Sequence, residues 1–131
     1  MKKLILTAVL LANVSAHADI IKCDFTEPFL ATTYSMTQQT LTYDTSFLTG
    51  NKGSTKVFKN VSFQIKGAGK FELVAKDGTV LQKLDLSFNG SNGMSDGVYP
   101  YEVKDESDVF GGANGGVGGC VSNYLKVTGE N

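Results

Sequence analysis

The sequence predicts an all-β domain, a small antiparallel barrel or a sandwich of about seven to eight strands. Three observations predict it. Apolar side chains recur with period two, and no 3.6-residue period persists over ten residues after the N-terminal segment. Clusters of Gly, Asn, Asp and Ser punctuate the chain at short intervals. Two cysteines, Cys23 and Cys120, lie near the two ends of the domain. A bridge between them would bring the N- and C-terminal segments together, and closing the sheet would remove exposed edges.

The first 18 residues stand apart. Lys2 and Lys3 precede an apolar stretch from Leu4 to Val14, and Ala16-His17-Ala18 supplies small residues for cleavage. This pattern predicts a secretory signal peptide, residues 1–18, cut after Ala18 or alternatively after Ala16. The apolar run is shorter than the ~20 residues a membrane span needs. Asp19 and Lys22 separate Cys23 from the apolar region, which argues against lipid attachment. Residues 19–131 are then one β domain, large enough for a modest core.

Several elements follow in chain order. In Phe29 to Met36, Leu30, Tyr34 and Met36 share a parity. Thr37 to Thr40 reads as a hairpin connection. In Leu41 to Phe47, Leu41, Tyr43 and Phe47 share the next face. Thr55 to Lys66 reads as one strand with Val57, Val61, Phe63 and Ile65 on one side. Lys66 to Lys70 turns the chain. Phe71 to Ala75 and Val80 to Leu86 flank Asp77-Gly78, a dipeptide suited to a two-residue type I′ turn. Gly97 to Val103 and Val121 to Val127 complete the strands. Gly111 to Gly119, with six glycines in nine residues, reads as a loop.

Composition excludes several functions. The only histidine, His17, lies in the signal segment, and there is no Arg and no Trp. Beyond residue 18, ten lysines face thirteen acids, a net charge of −3. Nucleic-acid binding needs a basic surface, so no nucleic acid is expected as partner. A polybasic membrane patch is absent too. An even cysteine count in an exported chain reads as a disulfide, here Cys23–Cys120. A metal or catalytic thiol would lack a histidine as ligand or base. No cofactor is expected.

Three stretches imitate motifs. Gly67-Ala68-Gly69-Lys70 suggests a phosphate loop, but Gln64 and Phe71 occupy positions the motif needs as Gly and Ser or Thr. From Asp85 to Asp96 the oxygens of Asp85, Ser87, Asn89 and Asp96 follow calcium-loop spacing, with Gly90 at the sixth position. Against calcium stand Asn92 at the usual aliphatic position, the short Asp96 at the last, and flanks that read as strands. The preferred reading is a structural corner, in which Gly93-Met94-Ser95-Asp96 aims Tyr99, Pro100 and Tyr101 into a strand. Asp105-Glu106-Ser107-Asp108 reads as a solvated acidic loop.

With Glu27-Pro28-Phe29, then Gly93-Met94-Ser95-Asp96 and Tyr99-Pro100, then Gly119-Cys120, the chain resembles a group of uncharacterised bacterial envelope proteins and lipoproteins. Their pattern is Glu-Pro-Phe-Trp, Cys-x-Asp-Gly-Met-Ser-Asp followed by Tyr-Pro, and Gly-Cys. Leu30 stands in place of the Trp and Asn92 of the Asp, and the middle Cys has no counterpart. If the group pairs its middle Cys with the late one, Cys120 is re-partnered with Cys23 here. The resemblance brings no activity with it; members often sit beside domains similar to small β-barrel lysozyme inhibitors, a likeness of fold alone.

The expectation is an exported, non-catalytic binding or inhibitor-type β-barrel of the bacterial envelope, periplasmic or secreted. Its partner would be an envelope or extracellular protein or glycan. The alternatives are a hydrolase of envelope glycans using two carboxylates among Glu27, Glu72, Glu102 and Asp96, and a calcium-stabilised domain.

Overall fold

The computed structural model describes residues 20–26, 29–91, 97–110 and 116–123, with the backbone alone at 88 and 89. Nine strands form one antiparallel sheet: β1 (Ile20–Thr26), β2 (Phe29–Ser35), β3 (Thr40–Asp44), β4 (Thr55–Phe58), β5 (Ser62–Gly67), β6 (Lys70–Val74), β7 (Val80–Gly90), β8 (Tyr99–Asp105) and β9 (Val117–Ser122). Their order is β4-β3-β2-β1-β9-β8-β7-β6-β5. The sheet curls into a half-barrel whose inner face is the core.

The terminal strands meet in the middle of this sheet. Cys23 on β1 lies opposite Cys120 on β9. They form the disulfide, with Cα atoms 4.0 Å apart across a sequence separation of 97. Such a bond fits an oxidising, non-cytoplasmic environment. Among the described residues no helix is long and apolar enough to cross a membrane.

The two outer strands, β4 and β5, follow one another in the chain. The expected single strand from Thr55 to Lys66 is broken because Asn60 takes a positive φ of 59°, a conformation asparagine tolerates. The break separates two valines of equal parity: Val57 is 46% exposed and Val61 fully buried. Val61 donates its N–H to the Gln39 carbonyl at 2.8 Å, and its carbonyl accepts from the Tyr34 hydroxyl at 2.7 Å. The connection therefore places Val61 in the core and ties it to β2 and to the turn after it.

Other expectations are corrected too. Phe47 does not continue β3. The Asp44 carboxylate accepts the Ser46 N–H at 3.0 Å and its hydroxyl at 2.6 Å. This Asx turn leads the chain into the short helix α1 (Ser46–Thr49). At Asp77-Gly78 only the glycine has positive φ, +93°. Ala75 accepts from Gly78 N–H at 2.9 Å and donates to Thr79 at 2.8 Å. This is a three-residue loop ending in a left-handed glycine, not the type I′ turn. A two-residue connection occurs instead at Ala68-Gly69, between the paired Gly67 and Lys70.

The last described strand is Val117–Ser122, inside the expected glycine loop. Its glycines serve close approach: a Cβ on Gly119 would lie 2.6 Å from the Tyr99 ring, and one on Gly118 would strike the Asp24 carbonyl. Residues 124–131, expected to hold most of the final strand, lie outside the described residues.

Candidate functional site

Carboxylates occupy both faces of the sheet, one within a buried polar cluster on the inner face and a row of four on the outer. The inner one begins at Asp105, which is fully buried. The acidic run 105–108 is therefore not wholly a solvated loop. Tyr101, Val103 and Asp105 alternate along β8, so the strand period carries Asp105 inward with its two apolar predecessors. Gln82 arrives likewise between Val80 and Leu84 on β7, opposite Asp105.

Asp105 Oδ2 accepts the Tyr43 hydroxyl at 2.6 Å and Gln82 Nε2 at 3.0 Å. Its Oδ1 accepts the Ser107 N–H at 2.9 Å and the Ser107 hydroxyl. Gln82 Nε2 also donates to Thr32 Oγ1 at 3.1 Å. Burial, and then the charge of Asp105, pushes the Tyr43 phenol far above its ordinary value, so it remains a donor. Gln82 Oε1 is the one buried side-chain polar atom without a partner among the described residues. The cluster ties β2, β3, β7 and β8 together through the core.

The outer group follows from register alone. Lys70, Asp85, Glu102, Gly119, Asp24, Ala31, Asp44 and Thr55 are successive cross-strand partners from β6 to β4. Four carboxylates thus share one row, separated in two places by the small residues Gly119 and Ala31. Lys70 pairs with Asp85 at 2.7 Å. Among the described residues no ammonium lies within 4.0 Å of Glu102, Asp24 or Asp44. The Ser46 hydroxyl, and then its N–H, hold the Asp44 carboxyl below the usual carboxylate range.

The gap at Gly119 is filled from within: the Tyr99 ring lies on the glycine, and its hydroxyl donates to Asp24 Oδ2 at 3.3 Å. The gap at Ala31 opens into a hollow of about 300 Å³ lined by Asp24, Phe25, Phe29, Leu30, Ala31, Asp44, Ser46 and Phe47. Phe29 and Phe47 meet edge to face there, with centroids 5.0 Å apart. They are 39% and 62% exposed.

The motif residues divide accordingly. Phe29 and Tyr99 lie on either side of the outer row, and Pro100 lies within β8. Glu27, Pro28, Gly93, Met94, Ser95 and Asp96 lie outside the described residues, as does most of the expected corner. Of the weak calcium candidates, Asp85, Ser87 and Asn89 fall on the extended backbone of β7. Asp85 is occupied by Lys70. Among the described residues no three acids, cysteines or histidines cluster closely enough to hold a metal.

Of the acids named for a hydrolase pair, Glu72 is 4.0 Å from Lys66. Register holds it two strands and two residues from Glu102, with Lys83 and Asp85 between. Glu27 and Asp96 are outside the described residues.

Sequence reasoning missed Asp105, Gln82, Tyr43 and Thr32 as one cluster, although strand parity marks Asp105 and Gln82. It missed the outer row because register across eight strands cannot be read from one of them. No family model matches the chain, and no curated protein or solved structure does.

Proposed function

We propose that the protein is an exported, non-catalytic binding module of the bacterial envelope, of the kind that captures or inhibits a partner. The observation that carries this reading is the exposed aromatic pair Phe29–Phe47 over an open hollow. Exposed rings beside a concavity are a common basis of recognition.

Three further points support it. The signal-like N-terminus and the disulfide agree on export. The buried carboxylate has donors on both oxygens, an arrangement suited to holding strands rather than moving protons. Glu72 and Glu102 border one hollow of about 340 Å³, but they share it with Lys66, Lys70, Lys83 and Lys104, so each acid stands among ammonium groups. The resemblance of the Glu27-Pro28-Phe29 and Tyr99-Pro100 stretches to envelope proteins points the same way.

Capture tests the reading. The mature protein, immobilised, is exposed to envelope extract, purified lysozymes and peptidoglycan, beside a Phe29→Ser/Phe47→Ser variant. The reading expects one of these to be retained by the parent, released unaltered and lost by the variant. Cleavage of peptidoglycan by the parent would replace the binding module with a hydrolase. Equal retention by the variant would remove the hollow from the reading.

A further inference from the structure

From the outer row we infer that the gap over Ala31 receives a lysine or arginine side chain of a partner protein. The inference rests on the reading of this face as a binding surface and names the chemistry that it takes.

The geometry is set by the register. Asp24 and Asp44 flank Ala31 on adjacent strands. With strands about 4.8 Å apart, their Cα atoms stand about 10 Å from each other across a methyl group. A cation above that methyl lies about 5 Å from each carboxylate's strand, within reach of both. Asp44 is kept ionised by Ser46, and neither acid has a cation within 4.0 Å among the described residues. The walls are aromatic: Phe29 and Phe47 border the same hollow. The stem of a long basic side chain can lie on such rings while its charged head meets the acids.

The molecule supplies an internal comparison. Asp24 has a small residue on each side, Gly119 and Ala31. Over Gly119 the chain lays down its own Tyr99, whose polar tip reaches Asp24. A side chain lying flat between two carboxylates is thus already realised once in this row. The Ala31 gap has a floor larger by one methyl group, the same acid at its edge and an open hollow above it.

The hollow selects against other occupants. An anionic glycan or phosphate would meet two carboxylates with no ammonium within 4.0 Å among the described residues. A purely apolar segment would have to cover both, at the desolvation cost of uncompensated charge.

The test is an amide NMR titration of the disulfide-bonded mature protein with the blocked peptide Ac-Gly-Lys-Gly-Arg-Gly-NH2. Its Glu-for-Lys and Glu-for-Arg counterpart serves as control. The inference expects saturable shifts centred on Asp24, Ala31, Asp44 and Phe47, and no response to the acidic peptide. Affinity should fall at least fivefold between about 20 and about 200 mM salt, because the acids are exposed and screened. It should fall at least tenfold in Asp24→Asn/Asp44→Asn, and vanish in Ala31→Phe, which fills the gap from the outer face. Asp77→Asn/Asp108→Asn, two exposed acids elsewhere, should bind as the parent does. Shifts spread equally over Asp77 and Asp108, an equal response to the acidic peptide, or no shift at millimolar peptide would each overturn the inference. If a partner captured through Phe29 and Phe47 is still held by Asp24→Asn/Asp44→Asn, the binding module stands and the cation gap falls.

Discussion

Asp105 and Asp24 are the same side chain on strands separated only by β9, yet their surroundings differ in every respect. Asp105 faces inward, with donors from Tyr43, Gln82 and Ser107 on its two oxygens. Asp24 faces outward and is exposed, with one long bond from Tyr99. The first has no capacity left for a ligand. The second, with Asp44, has acceptors to spare and no cation. In a sheet with period two, one residue of parity separates a carboxylate that holds the fold from one that can meet a partner.

The contrast can be broken or sharpened by substitution. The largest expected effect is at the seam between the terminal strands. Cys23→Ala/Cys120→Ala should lose about 4–5 kcal/mol on the chain-entropy account of a loop this long. Urea unfolding of the variant, or of the reduced parent, checks this. A loss below about 1 kcal/mol would mean that β1 and β9 hold together without the bond.

Next comes the floor of the outer row. Gly119→Val would push its side chain into the Tyr99 ring and should cost about 1–3 kcal/mol by overpacking. Ala31→Val, at the open gap, should cost less than about 0.5 kcal/mol. Melting temperatures of the pair decide whether the two gaps differ as described.

Tyr43→Phe removes one donor from Asp105 and should cost about 1–2 kcal/mol near neutral pH. It also has a pH signature. The folded-state pKa of Tyr43 is raised, so its contribution is present in full below the unfolded value of about 10 and declines as pH rises above it. The parent should therefore lose stability above about pH 10 more steeply than Tyr43→Phe. Parallel slopes would place Tyr43 in water rather than beside Asp105.

How much of this was legible in the sequence depends on the range of the signal. Period two marked most inner positions, such as Leu30, Tyr34, Leu41 and Tyr43, because parity is local to a strand. The disulfide was legible because two cysteines allow one pairing. The Asp77-Gly78 turn was found but mistyped, since the dipeptide serves both a two-residue turn and the three-residue loop with a left-handed glycine. The break at Asn60 was hidden, because Val57 and Val61 keep the same parity across it. Gly118 and Gly119 read as loop because their reason, the approach of Tyr99 and of β1, lies about 20 and 100 residues away in the chain. Asp105 was misread for the opposite cause: its parity was plain, but its acidic neighbours Glu106 and Asp108 suggested water.

The comparison is tested most directly by one chemical change made in three places. Asp→Asn keeps the shape, removes the charge and turns one acceptor into a donor. Equilibrium urea unfolding of Asp105→Asn, Asp24→Asn and Asp44→Asn, measured together at neutral pH, reads its cost at each site. Asp105→Asn should lose about 2–4 kcal/mol, because buried donors are left facing an amide nitrogen. Asp24→Asn should stay within about 0.5 kcal/mol of the parent, and Asp44→Asn should unfold close to the parent's urea midpoint. Equal losses at all three, or no loss at Asp105, would contradict the division of this sheet into a carboxylate that holds the fold and carboxylates left open to a partner.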